Sequence, residues 1–430
     1  MTNRDTFDFS PRTQKLRTIA VVLLVVAGCV NYLDRAALAV GEPEIRQTLG
    51  LSYSKMGLLL SAFAWSYGLA QIPAGTLIDR FGPRRILGGG LILWSLAQIG
   101  ASFVGSFAQF IAARVGLGLG ESPMYVGGTR VCADWFALKE RALPIAIFNS
   151  SSALAPAFAP PLLTWLMVAF GWRTMFLIVG LAGFCIAVLW FTFYRSPLSA
   201  EVPQADIAEI HRHDGEDSEH VGWAQVFWLL RFRTAWGMFL GFSGVVYVSW
   251  LYATWLPGYL EQARHLSIVS AGFWAALPLA AGFLGALSGG FISDRLGRMG
   301  TDAASACRIP TMWGLIAAGG FTVAAAFAGN VYIAVGLMAC GLFAANVSSS
   351  CGWALAAVIA PANVVATLEA VQNVGGSVGG ALAPFVTGAL VQATGSFVAA
   401  FVLAGSIAVA CAVVYRYMTR QNISVPTLPR

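Results

Sequence analysis

Apolar stretches of about 20 residues, each long enough to cross a bilayer as a helix, recur near 19–41, 55–78, 86–105, 107–131, 142–170, 173–194, 235–259, 269–292, 309–328, 331–359, 364–390 and 396–417. Short polar segments separate them, and one long polar break at 196–233 divides six stretches from six. The pattern predicts an all-α integral membrane protein of twelve transmembrane helices. These form two six-helix bundles, residues 19–195 and 234–418, flanked by polar tails at 1–18 and 419–430. The break carries mixed charge and few apolar residues, so it reads as a solvated linker with a short helix near Ala205 to His211.

Composition strengthens this picture. Only 11% of the residues are charged and 57% are hydrophobic, with a mean hydropathy of +0.71, which excludes a water-soluble globule. The net charge of +6 does not point to nucleic acid, because the basic residues gather in the short polar segments rather than in a continuous stripe. Counted by alternating segment, the 26 Lys and Arg fall on the side of the two termini, except Arg46, Lys55, Arg173 and Arg264 opposite and Arg35 and Arg114 inside spans. That bias predicts cytoplasmic termini, and the setting expected is a bacterial inner membrane. The first stretch lacks a small-residue cleavage site and is expected to stay as a helix.

Enzymatic readings fail one by one. The seven cysteines form no Cys-x-x-Cys pair, and His211, His213 and His220 match no closed ligand set, so no metal site is expected. No phosphate-binding loop is present, and Ser122 lacks both the second glycine of a nucleophile elbow and a histidine within any span. No cofactor is predicted. Nor is an obligate protein partner implied, the bilayer and a small solute being the partners expected.

What remains is charge at membrane depth. Asp34 and Arg35 stand in the second half of the first stretch, where each is penalised by roughly 2.5 to 3.5 kcal/mol on the mildest scales. Of the 20 acidic residues, only Asp34, Glu121 and Glu369 fall inside predicted spans, and Glu369 reads as a charge near a helix start. Asp34 lies roughly 24 Å along helix 1, and Arg114 and Glu121 roughly 10 and 20 Å along helix 4 from the opposite side, two turns apart on one face. Gly116, Gly118 and Gly120 would let a neighbour approach closely. Two arginines and two ionised acids nearly cancel, whereas protonating the acids leaves a positive site. Proton and anion would therefore travel together. The competing reading is a set of buried ion pairs that merely ties helix 1 to helix 4.

The halves also repeat. Gly75-Thr-Leu-Ile-Asp79-Arg80-Phe-Gly82 returns as Gly290-Phe-Ile-Ser-Asp294-Arg295-Leu-Gly297, half a chain length later. In each copy the glycine is expected to bring helices together and the acid to cap or pair near a helix end. With this repeat the chain resembles the major facilitator superfamily, whose two bundles are pseudo-symmetric and whose cytoplasmic gating loops carry this pattern. Asn31-Tyr-Leu-Asp-Arg35, Gly118-Leu-Gly-Glu121-Ser-Pro123, Ala133-Asp-Trp-Phe136 and Gln372-Asn-Val-Gly-Gly376 are similar to the anion:cation symporter family, particularly its bacterial sugar-acid members.

The resemblance implies a secondary active transporter importing a small organic anion, such as an aldonate, hexuronate or aldarate, with protons as the coupling ion by alternating access. It implies Asp34 and Glu121 as the protonatable pair. It assigns Tyr32, Arg35, Tyr67 and Arg114 to the anion site, with Ser350, Trp353 and Asn373 facing it from the other half. Ser152 stands where some sugar-acid members carry glutamine, which leaves the particular substrate open. Aromatic or small dicarboxylic acids are the alternative substrates, and proton-coupled drug export is the alternative function.

Overall fold

The computed structural model describes residues 9–137, 140–197, 200, 202–210, 228–360, 365–421 and 423. Within them lie thirteen helices: α1 (Pro11–Thr48), α2 (Tyr53–Phe81), α3 (Pro83–Ala101), α4 (Phe107–Glu121), α5 (Pro123–Trp135), α6 (Ala142–Phe193), α7 (Gln204–Ile210), α8 (Arg233–Gln262), α9 (Ile268–Arg298), α10 (Ala303–Phe327), α11 (Val331–Ile359), α12 (Val365–Thr394) and α13 (Val398–Met418). Eight are by themselves long and apolar enough to cross a membrane. The twelve expected spans are recovered once two local breaks are read correctly. Gly171 (φ 79°, ψ 160°) splits α6 in two, and the second half returns beside α3, with Gly180 against Ile99 and Gly88 against Phe191. α4 and α5 form one span interrupted at Pro123, which has no backbone N–H to offer. The Leu119 carbonyl left free there accepts the Ser122 hydroxyl at 2.9 Å.

α1 departs from expectation. The pattern placed its end at residue 41, yet the helix continues through Pro43 to Thr48 and carries Glu42, fully buried, inside it. Gly41-Glu-Pro43 looks like a stop in sequence, but packing against other helices can support a proline-containing span.

The halves α1–α6 and α8–α13 meet away from the termini. Gly57 of α2 crosses Gly388 of α12 so closely that a Cβ on Gly57 would stand 2.6 Å from the Pro384 carbonyl oxygen. One turn on, the Ser61 hydroxyl donates to the Ala381 carbonyl at 2.6 Å. Gly272 of α9 leaves no room for a Cβ beside Thr164 of α6. On the side of the termini the glycines of the repeated loops make no comparable approach among the described residues, which corrects the expectation for those loops. A Cβ on Gly290 would meet nothing within 4 Å, and one on Gly75 only Val126, at 3.7 Å. The two copies also differ in how they turn. Gly82 (φ 80°) ends α2, whereas α9 runs through Gly297 and Gly300 (φ 91°) takes the turn. Asp79 pairs with Arg130 of α5 at 3.2 Å, while Asp294 and Arg295 are exposed on the last turns of α9, and Asp302 caps α10 by accepting the Ser305 N–H at 2.9 Å. Arg80 lies beside the Phe81 ring.

The short linker helix is α7. His211, His213 and His220 lie outside the described residues. Asp206 of α7 holds the start of α1, accepting the Thr13 hydroxyl at 2.6 Å, the Ser10 hydroxyl at 2.8 Å and the Ser10 N–H at 3.1 Å. Burial opposes ionisation of Asp206, but these three donors outweigh it and hold the carboxyl below its ordinary range. A carboxyl depressed on folding stabilises above its unfolded pKa and loses that contribution as pH falls below it. Asp206→Ala is accordingly expected to loosen residues 9–18, raising their amide exchange at neutral pH and much less so in strong acid, with a stability loss of about 1–3 kcal/mol.

Candidate functional site

The charged cluster is assembled from α1, α2 and the α4–α5 break. Small residues allow it. A Cβ on Gly120 would stand 2.5 Å from the Trp94 backbone nitrogen, one on Gly116 3.3 Å from Ala97, and Gly118 has no room beside Ser66. These glycines seat α4 against α2 and α3, as expected. The last turn of α4 thereby reaches α1, where Arg35 Nε donates to Glu121 Oε2 at 2.8 Å. Glu121, Arg114 and Arg35 are the charges whose fields act on Asp34.

Asp34 and Glu121 are 0% exposed and Arg114 3%. Neither Asp34 oxygen has a hydrogen-bond partner among the described residues, and the same holds for Arg114 Nε and Nη1, Arg35 Nη2 and Glu121 Oε1. Among the described residues, Arg35–Glu121 is the one ion pair within 4 Å in this group of three buried charges and the partly buried Arg35. Aromatic rings supply much of the rest of their surroundings. The Arg35 guanidinium lies 4.7 Å from the Tyr67 ring, 4.9 Å from Phe63 and 5.0 Å from Tyr32, and Arg114 lies 5.2 Å from the same Phe63. Desolvated cation–π contacts of this kind are worth about 2 kcal/mol each. They hold a guanidinium in place without using its N–H donors.

Both arginines border a cavity of about 880 Å³ between the two halves. Tyr32, Tyr67, Ser152, Ser350 and Trp353 also line it. Asp34 and Glu121 are absent from its lining, and Glu121 is tied to it through Arg35. Two of the hydroxyls are already engaged as donors, Ser152 to the Asn149 carbonyl at 2.7 Å and Ser350 to the Ala286 carbonyl at 2.7 Å, so both face the cavity as acceptors. Trp353 is braced edge-on by Phe242. Asn373 does not line the cavity. The helix face it shares with Gly376 and Gly380 is pressed onto Phe242, Val246 and Trp250 of α8, and those side chains form the wall instead.

Sequence reasoning missed several wall residues. Tyr125 and Asn149 line the cavity from the N-terminal half, and Ser249 and Trp250 from the C-terminal half. A spacing of four from Glu121 places Tyr125 on the Glu121 face only if helical geometry survives the break at Pro123. The cavity wall is charged on one side only: among its described lining residues, those of the C-terminal half are polar or apolar, with no Asp, Glu, Lys or Arg.

The chain matches the Major Facilitator Superfamily over residues 24–368, and it belongs to that family. It is a membrane transporter and not an enzyme. It is 37% identical over 418 residues to the "Probable L-galactonate transporter" of Escherichia coli (strain K12), covering 97% of this chain and 92% of that protein. It is 32% identical over 416 residues to the "Probable galactarate/D-glucarate transporter GudP" of Bacillus subtilis (strain 168), covering 93% and 91%. The fold is shared with the crystal structure of a bacterial homolog to the human lysosomal transporter Spinster in an inward-facing and occupied conformation, with a TM-score of 0.80 at 19% identity over 94% of this chain and 97% of that one.

Proposed function

We propose that the protein imports a sugar monocarboxylate, an aldonate or hexuronate, together with protons, by alternating access across a bacterial inner membrane with both termini in the cytoplasm. The single observation behind this reading is the cluster of two acids and two arginines at membrane depth, in which both Asp34 oxygens, Glu121 Oε1 and three guanidinium nitrogens are buried without a hydrogen-bond partner among the described residues. Packing leaves such a cluster only partly compensated, since unpaired buried charge costs several kcal/mol per ion. A substrate carboxylate on the cavity side of Arg114 and Arg35, and protons on Asp34 and Glu121, would complete it. The relatives named for galactonate and for galactarate and glucarate favour the sugar-acid class.

The one-sided charge of the cavity narrows the substrate. A monocarboxylate presents one anionic end to the arginines and a row of hydroxyls to Ser249, Asn346, Ser349, Ser350 and Trp353 opposite. An aldarate would leave its second carboxylate against a wall with no cation. In the transport cycle the two bundles, residues 19–195 and 234–418, rock about this site, and the loops at Gly75–Arg80 and Gly290–Arg295 close on the cytoplasmic side.

The test is uptake of labelled galactonate into proteoliposomes under an inward proton gradient, with unlabelled competitors. Galactonate and glucuronate are expected to compete at least tenfold more strongly than glucarate or phthalate. Equal competition by glucarate would overturn the monocarboxylate assignment, and uptake indifferent to the gradient would overturn proton coupling.

A further inference from the structure

Another fully buried carboxylate lies outside the cluster, near the end of α1. Glu42 stands eight residues after Asp34 on α1, near the face where the two halves are closed, and it is 0% exposed. Both of its oxygens are held. Oε1 accepts Arg46 Nε at 3.0 Å, and Oε2 accepts Gln262 Nε2, from the other half of the molecule, at 2.6 Å. The Gln262 amide is oriented by what its other atom receives: its oxygen takes Arg46 Nη2 at 3.0 Å and the Tyr53 hydroxyl of α2. Beneath the carboxylate, Gly258 leaves a gap that a side chain would fill, since a Cβ there would stand 2.5 Å from Oε2. Pro257 lies within α8 beside it. The Tyr53 backbone N–H donates to Gln392 of α12 at 3.1 Å, and the Tyr53 ring packs near Trp255 and Phe397.

The cluster therefore joins α1 and α2 of one half to α8 and α12 of the other. It lies where the halves touch, away from the termini. Separating the halves here would remove Gln262 from Glu42 and Arg46 at once and bring the carboxylate to water. Besides Arg46, the titratable or charged groups facing Glu42 are Tyr53 of α2 and Glu261 of α8, with Glu44 beyond Glu261.

We infer that Glu42 is a proton-binding site of the outer gate, separate from Asp34 and Glu121: ionised, it latches the two halves through Gln262, and a proton taken from outside releases the latch. The chemistry is a matter of acceptors. A carboxylate accepts from Arg46 and Gln262 on separate oxygens, whereas the acid has lost the charge that attracts Arg46 and must place an O–H where two donors already converge. The inference uses the alternating-access part of the proposed function but is independent of the substrate and of the roles given to Asp34 and Glu121.

Hydrogen exchange on the purified protein in lipid nanodiscs, without substrate, at pH 5.5, 6.5 and 7.5 and corrected for intrinsic rates, tests it. In the native protein, acidification is expected to raise exchange severalfold in peptides covering 42–53 and 256–266 and to lower it around 75–85 and 290–300, as the outer side opens and the inner side closes. Glu42→Gln should show the acid pattern at all three pH values. Gln262→Ala, a change at a half-buried position that spares α1, should do the same. An Asp34→Asn/Glu121→Gln double variant should keep the native pH response at the outer ends. Exchange in Glu42→Gln that equals the native at every pH would overturn the proposal. So would greater exchange at the outer ends with no matching protection inside, or a pH response lost in the Asp34→Asn/Glu121→Gln variant. Failure of gradient-driven uptake with these exchange patterns intact would count against the proposed function and leave the gate standing.

Discussion

Asp34→Asn combined with Glu121→Gln is expected to abolish accumulation of the anion against its gradient while leaving exchange of labelled for unlabelled anion intact. Both substitutions fix the site in a state that resembles the protonated one, with two guanidiniums and no carboxylate. An anion still finds Arg35 and Arg114, so binding and exchange continue. What is lost is the choice between empty and protonated acids on the two sides of the membrane, and with it any use of the proton gradient. A gradient of one pH unit supplies about 1.4 kcal/mol per proton, which is roughly tenfold accumulation for each proton coupled. The double variant should reach equilibrium and stop there. Uptake and counterflow in the same proteoliposomes separate these outcomes, and accumulation at the native level in the double variant would remove both acids from the coupling mechanism.

The second large effect is expected at the arginines, and the two should behave differently. Arg114 has no ion-pair partner within 4 Å among the described residues, so Arg114→Gln should chiefly weaken substrate binding, by about 10- to 100-fold for the loss of charge-assisted hydrogen bonds worth about 1.5–3 kcal/mol. Arg35 carries an additional duty through its 2.8 Å contact with the fully buried Glu121. Arg35→Gln leaves that carboxylate without its nearest cation, and breaking a buried pair from one side costs about 3–5 kcal/mol. Its thermal unfolding midpoint in detergent should fall well below that of Arg114→Gln. Adding Glu121→Gln to Arg35→Gln should recover most of the stability and none of the binding. Equal destabilisation by both arginine variants would mean that the Arg35–Glu121 contact contributes little.

Much of this site could be reached from residue order alone because charge inside a 20-residue apolar run has few explanations. Asp34, Arg35, Arg114 and Glu121 stand out for that reason, and the structure brings all four into one cluster, with Arg35 partly buried and the other three buried. The residues that were missed or displaced are those whose role depends on a neighbour. The apolar pattern ends the first span at 41 and leaves Glu42 outside it, whereas contacts with Arg46 and with Gln262, 220 positions away, hold it buried inside α1. Tyr125 was hidden by the break at Pro123. Asn373 was placed at the site by likeness, but the packing of Gly376 and Gly380 against α8 puts other side chains on the wall. Gly75 and Gly290 were expected in tight contact, and neither makes a close approach among the described residues.

Taken alone, the order of residues determined the helical spans, the twofold repeat and the positions of intramembrane charge. Each is a local property: bilayer thickness sets the length of an apolar run, and the absence of water forces its backbone into a helix. Tertiary structure alone decided which charges meet, which face of each helix borders the cavity, and on which side the halves are closed. Those depend on rotations and separations between helices far apart in the chain, to which the bilayer is indifferent, so they are set by side-chain packing and polar contacts across the interface.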